Sequence, residues 1–245
     1  MTFPSCLVTL PARNEGGRLA TAVERVDGLL QEMGYPYTLL IAEDGSTDNT
    51  FKVAQGLAST FPNVQVIHHD TKLGRGRALR NAWLSNSADV YVFMDADLAT
   101  DLSFFPKLVD LMQANALDFV TGSRYSFGSK LERPMLRKTF SIGYNSVIRT
   151  VKEVLPLTHE NGWAWDTEVI VYMATMGYKM AELPVDWKEM KGERTPLKRL
   201  INDIIDNGSA FLRILVRSQR LRRMGKIASK TGSVWMDPSD TNLAR

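Results

Sequence analysis

The chain has 245 residues, enough for one large domain with a substantial core. Lysine and arginine number 30 against 27 acidic residues, a formal charge of +3 that by itself implies no polyanion partner. The single cysteine, Cys6, excludes an internal disulfide. No charged-then-apolar leader and no apolar stretch of about 18 residues are present, so the expected location is cytoplasmic.

Taken in chain order, Cys6–Leu10, Thr38–Ala42, Val64–Ile67, Val90–Met94 and Phe119–Thr121 are short apolar runs of strand character. Between them, Glu15–Met33, Thr47–Thr60, Arg75–Asn86 and Ser103–Ala114 carry helical patterns. This alternation implies βαβ crossovers and a mostly parallel, Rossmann-like sheet flanked by helices, an α/β class. Further on, Arg133–Val154 and Trp163–Met176 are expected as helices. Lys179–Leu183 and Val185–Lys188 are expected as strands, and a long amphipathic helix as running from Pro196 to Met224. The expected division is a main domain over 1–206, a basic amphipathic helix over 207–230 and a polar tail over 231–245. The helix carries Arg213, Arg217, Arg220, Arg222 and Arg223 among Phe211, Leu212, Leu215 and Val216, with no acid. Such a segment suits an anionic membrane surface, or equally a core-packing helix with a solvated basic end.

Chemistry concentrates where strands are expected to end. Asp95-Ala96-Asp97 follows the fourth run; on extended backbone its two carboxylates point to one side, with their Cα atoms roughly 6.5–7 Å apart. At a strand mouth such a pair suits Mg²⁺ or Mn²⁺ carrying a diphosphate. Pro11, Arg13 and Glu15 follow the first run, at a turn where nucleotides bind, although Glu15 equally suits a helix start. Glu43 and Asp44 close the second run, before Gly45-Ser46-Thr47, whose hydroxyls suit helix capping. Lys72, Gly74 and Arg75 belong to a basic glycine-punctuated loop entering a helix, which suits an anion or, on its residues alone, rather a plain basic surface loop; it matches neither the Walker nor the dinucleotide fingerprint. His68, His69 and His159 show no metal-ligand spacing.

Jointly and in this order, Leu10-Pro11-Ala12-Arg13-Asn14-Glu15, Glu43-Asp44-Gly45-Ser46, the Lys72 loop, Asp95-Ala96-Asp97, Gly122-Ser123-Arg124-Tyr125 and Trp163-Ala164-Trp165-Asp166-Thr167-Glu168 resemble family 2 glycosyltransferases of the GT-A fold. The nearer likeness is to dolichyl-phosphate mannose and glucose synthases. The resemblance implies that Pro11, Arg13, Glu15, Glu43, Asp44, Lys72, Gly74, Arg75, Asp95 and Ala96 bind a UDP- or GDP-hexose. It implies that Asp95 and Asp97 hold the metal, and that Asp97, Arg124 and Asp166 are catalytic. It implies that Arg124, Arg137, Ser141 and Arg194 receive the phosphate of a polyprenyl (dolichyl) acceptor. The expected reaction is inverting hexose transfer, the expected place the cytoplasmic face of a membrane, and no nucleic-acid partner is expected. A GT-A enzyme glycosylating a sugar or protein hydroxyl, with Asp166 as base, and a non-catalytic nucleotide-sugar or RNA-binding module are the alternatives.

Three positions and one segment depart from the family pattern. Arg13 stands at an aromatic position, Glu43 at an aspartate, and Ala99 where the mannosyl-type pattern has glutamine. No Asp-x-x-Cys-Gly-Phe-Lys segment separates Arg149-Thr150-Val151-Lys152 from Trp163.

Overall fold

The computed structural model describes residues 4–99, 101–123, 144–185, 197–223 and 235–236. Strands β1 (Cys6–Ala12), β2 (Tyr37–Asp44), β3 (Val64–His69) and β4 (Val90–Phe93) alternate with helices α1 (Leu19–Met33), α2 (Thr50–Thr60) and α3 (Arg75–Leu84). There follow α4 (Phe104–Ala114), β5 (Phe119–Ser123), β6 (Tyr144–Ile148), α5 (Val151–Val154) and α6 (Ala164–Met176). Strand β7 (Met180–Pro184), α7 (Leu197–Arg223) and β8 (Trp235–Met236) complete the described elements.

These strands form one sheet in the order β3-β2-β1-β4-β6-β5-β7-β8. All pairings are parallel except those of β6, which is antiparallel to both β4 and β5. The chain winds outward from β1 to β3, then returns to place β4 on the other side of β1. The gap between the ends of β1 and β4 is therefore a topological switch point, where open α/β sheets bind ligands.

Side-chain alternation on the central strands explains the three layers. Cys6, Val8, Leu10 and Ala12 of β1 point to one face, into a core shared with Val23, Val26 and Leu30 of α1 and Leu108 and Met112 of α4. Leu7 points to the other, with Leu40, Tyr91 and Phe93, under Trp83 of α3, Trp165 of α6 and Ile214 of α7. With both faces covered, the strands are near-continuous apolar runs. The one hydroxyl inside β1, Thr9, is fully buried and accepts a hydrogen bond from Trp83 Nε1 at 2.9 Å.

The expected helix over Arg133–Val154 is corrected in its described part. Tyr144–Ile148 is a strand, and only Val151–Val154 is helical. Val147 packs into one core and Ile148 into the other, while Ser146 Oγ donates to Thr121 Oγ1 inside the sheet. A short run buried on both faces carries no periodicity to tell strand from helix. Residues 133–143 lie outside the described set, as do 186–188 of the expected strand after Pro184. Helix α7 runs without interruption across position 206, and Trp235–Met236, within the expected tail, pair with Met180 and Ala181 at the sheet edge.

Candidate active site

The register of the parallel ladder brings the β1, β2 and β4 ends together. Ala12 lies opposite Glu43, Thr9 opposite Phe93, and Met94 N donates to Thr9 O at 3.0 Å. The loops after β1 and β2 are then laced to each other. Asn14 N donates to Ser46 Oγ, Thr47 N to Asn14 Oδ1, Gly16 N to Asp48 Oδ2, and Glu15 N to Thr50 Oγ1. Asn14 takes the left-handed conformation at φ 57, which asparagine tolerates better than most residues. This lacing is why α2 begins at Thr50 rather than Thr47: the residues expected to cap it are engaged with the neighbouring loop.

Glu43 and Asp44 are both buried, and both are held by the protein. Glu43 accepts from Ser46 N at 2.6 Å and faces His68 Nδ1 at 2.5 Å. Burial alone would raise its carboxyl; the Ser46 and His68 hydrogen bonds overcome this and hold it below the ordinary value. Asp44 accepts from Leu73 N at 2.6 Å and Gly74 N at 3.0 Å, and so fixes the backbone of the basic loop beside β2. Gly45 makes this approach possible: at φ +60, a Cβ there would lie 2.5 Å from the Thr71 carbonyl carbon. Pro11 is partly buried in β1, while Arg13 and Lys72 are exposed at the rim.

Asp95 and Asp97 lie on a turn rather than on extended backbone. Asp95 O accepts from Leu98 N at 3.1 Å, Asp97 Oδ1 from Ala99 N at 3.0 Å, and Leu98 sits at φ 49. Ala96 between them is buried, and both carboxylates are partly exposed at the switch point. Glu15 senses them. Its carboxyl is pushed above the ordinary value by burial, and by Asp97, Asp48 and Asp95 against the opposing charge of Arg18. This concentration of negative charge and hard oxygen donors fits Mg²⁺ or Mn²⁺. Among the described residues no cluster of three or more metal-type side chains exists. A two-carboxylate site suits an ion that draws the rest of its shell from a diphosphate and water.

Arg75, the first residue of α3, joins segments that are far apart in sequence. Its NH1 lies 2.8 and 2.7 Å from the two oxygens of Asp166, and its NH2 lies 3.1 Å from Asp95 Oδ1. The guanidinium carbon lies over the rings of Phe93 and Trp163, 4.9 and 4.8 Å from their centroids. Trp163 is 59% exposed beside Arg75, whereas Trp165 is fully buried against Trp83 and Phe93. Asp166 does not cap α6; it points inward, and burial raises its carboxyl to about 6 despite the Arg75 charge. Arg124, Arg137, Ser141 and Arg194 lie outside the described residues.

The loop before α6 seats this arginine. Gly76 N and Arg77 N donate to Asn161 O at 2.8 and 3.2 Å, and a Cβ on Gly76 would lie 2.3 Å from Trp165 Cβ. A Gly76→Ala variant should therefore be less stable. Overpacking costs about 1–3 kcal/mol, against about 0.5–1 kcal/mol gained from helix propensity. Urea denaturation measures the difference, and a stabilised variant would contradict the packing.

Sequence reasoning left three features unseen: the Arg75 bridge, the Asn14–Thr47 lacing, and the ion pairs that fasten α7 to Glu160. In α7, Ala210, Ile214 and Ser218 face inward, and Arg213 and Arg217 bind Glu160. Ile205, Phe211, Leu212, Leu215 and Val216 face solvent, near Arg220, Arg222 and Arg223. No helix among the described residues is long and apolar enough to cross a membrane.

Known proteins share this fold. Residues 7–180 match the Glycosyl transferase family 2 model. Glycosyltransferase AglD of Haloferax volcanii is 31% identical over 95% of this chain, which spans only 42% of that protein. The dolichyl-phosphate beta-glucosyltransferase of Saccharomyces cerevisiae is 23% identical over 87% of this chain and 77% of its own length. Among solved structures, glucosyl-3-phosphoglycerate synthase from Mycobacterium tuberculosis, in complex with Mn²⁺, uridine diphosphate and glucosyl-3-phosphoglycerate, superposes with a TM-score of 0.65. It is 19% identical and covers 86% of this chain and 80% of its own. Mannosyltransferase PcManGT from Pyrobaculum calidifontis, with GDP-Man and Mn²⁺, gives 0.58 at 17% identity over 94% and 77%. With the β1, β2 and β4 ends converging on Asp95 and Asp97 and the family match running from β1 to β7, this chain is a family 2 glycosyltransferase of the GT-A fold.

Proposed function

We propose that the protein transfers a hexose, glucose or mannose, from a UDP- or GDP-sugar to a polyprenyl (dolichyl) phosphate, with inversion at the anomeric carbon. The observation that carries this reading is the state of Asp166. Both of its oxygens are held by Arg75, so this buried carboxylate is not a free base. An acceptor that brings its own negative charge needs none, and a phosphate monoester is such an acceptor. The relatives named as dolichyl-phosphate glucosyltransferases, including that of Trichomonas vaginalis, 26% identical over 81% of this chain, support the same acceptor class.

In this reading Asp95 and Asp97 hold Mg²⁺ or Mn²⁺, which when bound neutralises charge on the departing diphosphate. Arg75 fixes the Asp95 carboxylate, and Asp44 fixes the Lys72–Arg75 backbone whose helix N-terminus faces the same mouth. Pro11, Arg13, Glu15 and Glu43 border the nucleoside, Trp163 borders the sugar, and Arg124, Arg137, Ser141 and Arg194 receive the acceptor phosphate. The exposed apolar side of α7 meets the lipid surface from the cytoplasmic side. Vesicles with anionic lipid should therefore sediment the protein, and Leu212→Glu with Val216→Glu should abolish this while leaving the melting temperature unchanged; equal sedimentation of both proteins would remove α7 from the surface.

A hydroxyl acceptor is the second reading, favoured by one observation: a carboxyl raised to about 6 is a fair base near neutral pH. The test of the main reading is incubation with Mn²⁺, polyprenyl phosphate and a panel of UDP- and GDP-hexoses, with mass spectrometry for products. One lipid-linked hexose is expected. Donor hydrolysis without glycolipid would refute the acceptor.

A further inference from the structure

Helix α7 and the donor side of the site are joined by a short strap, residues 158–162, held from three directions. From α6, the fully buried Glu168 accepts backbone hydrogen bonds from His159 N and Glu160 N, both at 2.8 Å. From α7, Arg213 binds Glu160 in a fork, Nε to Oε1 at 3.1 Å and NH2 to Oε2 at 2.9 Å. Arg217 NH1 adds Glu160 Oε1 at 2.8 Å and lies 3.5 Å from Glu168 Oε1. From α3, Arg80 donates to Thr158 O at 2.9 Å and Asn161 Oδ1 at 3.1 Å. The strap in turn supplies Asn161 O, which accepts from Gly76 N and Arg77 N, the residues that follow Arg75. Glycines at 74 and 76 let the two backbones meet: a Cβ on Gly74 would lie 2.4 Å from Asn161 O.

We infer that Glu160 and Glu168 are positioning residues that tie α7 to the N-terminus of α3, so that the seating of α7 sets the placement of Arg75 beside Asp95. The forked geometry is the arginine–carboxylate arrangement that fixes orientation as well as charge. Burial alone would raise the Glu160 carboxyl, yet the Arg213 and Arg217 contacts hold it below its ordinary value, so the ion pairs persist through neutral pH. The opposite side of α7 carries Leu212 and Val216, 64% and 67% exposed. One helix thus presents an apolar side outward and anchors the donor-side strap inward. This rests on the proposed nucleotide site only for its consequence, not for the strap itself.

The test uses Arg213→Gln with Arg217→Gln, two partly exposed side chains whose loss leaves the core intact. Amide hydrogen exchange should quicken at residues 74–80 while β1 and β2 stay protected. Affinity for UDP or GDP in Mn²⁺, by titration calorimetry, should fall about tenfold, and the conservative pair Arg213→Lys with Arg217→Lys should retain part of it. Exchange changes confined to α7, with wild-type nucleotide affinity, would overturn the inference. Should the double variant fail to fold, Glu160→Gln reads out the same two quantities with the side-chain shape retained. If the wild-type protein binds neither nucleotide, the donor reading fails, and the exchange result still decides the coupling.

Discussion

Replacing Asp97 with alanine should abolish glycosyl transfer, lowering the rate by about 10³-fold or more, on the order of 4 kcal/mol of transition-state stabilisation. Asp97 lies on the turn at the switch point, its backbone placed by the β1–β4 pairing and its carboxylate oriented by Ala99 N. Removing the carboxylate leaves that scaffold intact, so the variant should melt like the wild type while losing Mn²⁺-dependent UDP or GDP binding. Initial rates at saturating Mn²⁺ and a titration of Mn²⁺ by electron paramagnetic resonance check the two halves separately. A near-normal rate would remove the metal assignment from Asp97. Unchanged Mn²⁺ affinity with a lost rate would move its role to another step.

Replacing Arg75 with leucine should cost both activity and stability, and the stability loss should depend on pH. The guanidinium and the Asp166 carboxylate are both deeply buried, with side-chain exposures of 9% and 7%. Breaking one partner of such a pair typically costs about 3–5 kcal/mol, because the other charge is left behind. Asp166 can escape this by taking up a proton. Its carboxyl is raised by burial to about 6 in the folded protein, against an ordinary 3.8. Protonated Asp166 therefore favours the fold, a contribution fully present below about pH 4 and lost as pH rises through 6. Without Arg75 the carboxyl climbs further and the window extends above 6. Urea denaturation should show a larger deficit for the variant at pH 8 than at pH 5. Equal deficits at both values would mean that Asp166 is not the group left unpaired.

Much of the fold is legible because its strands and helices alternate with different apolar periods. The first four strands, and helices α1 to α4, are readable to within a few residues. Strand β6 is not, since Val147 and Ile148 are buried on opposite faces and leave no polar side to reveal a two-residue period. The positions of Asp95, Asp97, Glu15 and the Lys72 loop follow from strand ends, which a sequence marks with apolar runs stopping at Asp, Asn or Gly. The Arg75–Asp166 pair does not follow, because its partners are 91 residues apart and meet only once α3 and α6 pack on the same face. The same holds for Glu160 with Arg213 and Arg217. In the sequence these arginines belong to an unrelieved basic run; in the structure two of them point inward to carboxylates, and Arg220, Arg222 and Arg223 stay exposed. Helical position separates the two groups, and the identity of the inward side depends on which other helix is adjacent.

In the proposed reaction the acceptor is a phosphate, and Asp166 is structural rather than a base. A direct measurement compares polyprenyl monophosphate with the matched polyprenol as acceptors, at fixed donor and Mn²⁺, across pH 5 to 8. Transfer to the phosphate alone, at a rate that does not track deprotonation of a carboxyl near 6, is the result predicted. Comparable transfer to the alcohol, rising as pH passes through about 6, would contradict a phosphate acceptor and make Asp166 the base of a hydroxyl-glycosylating enzyme.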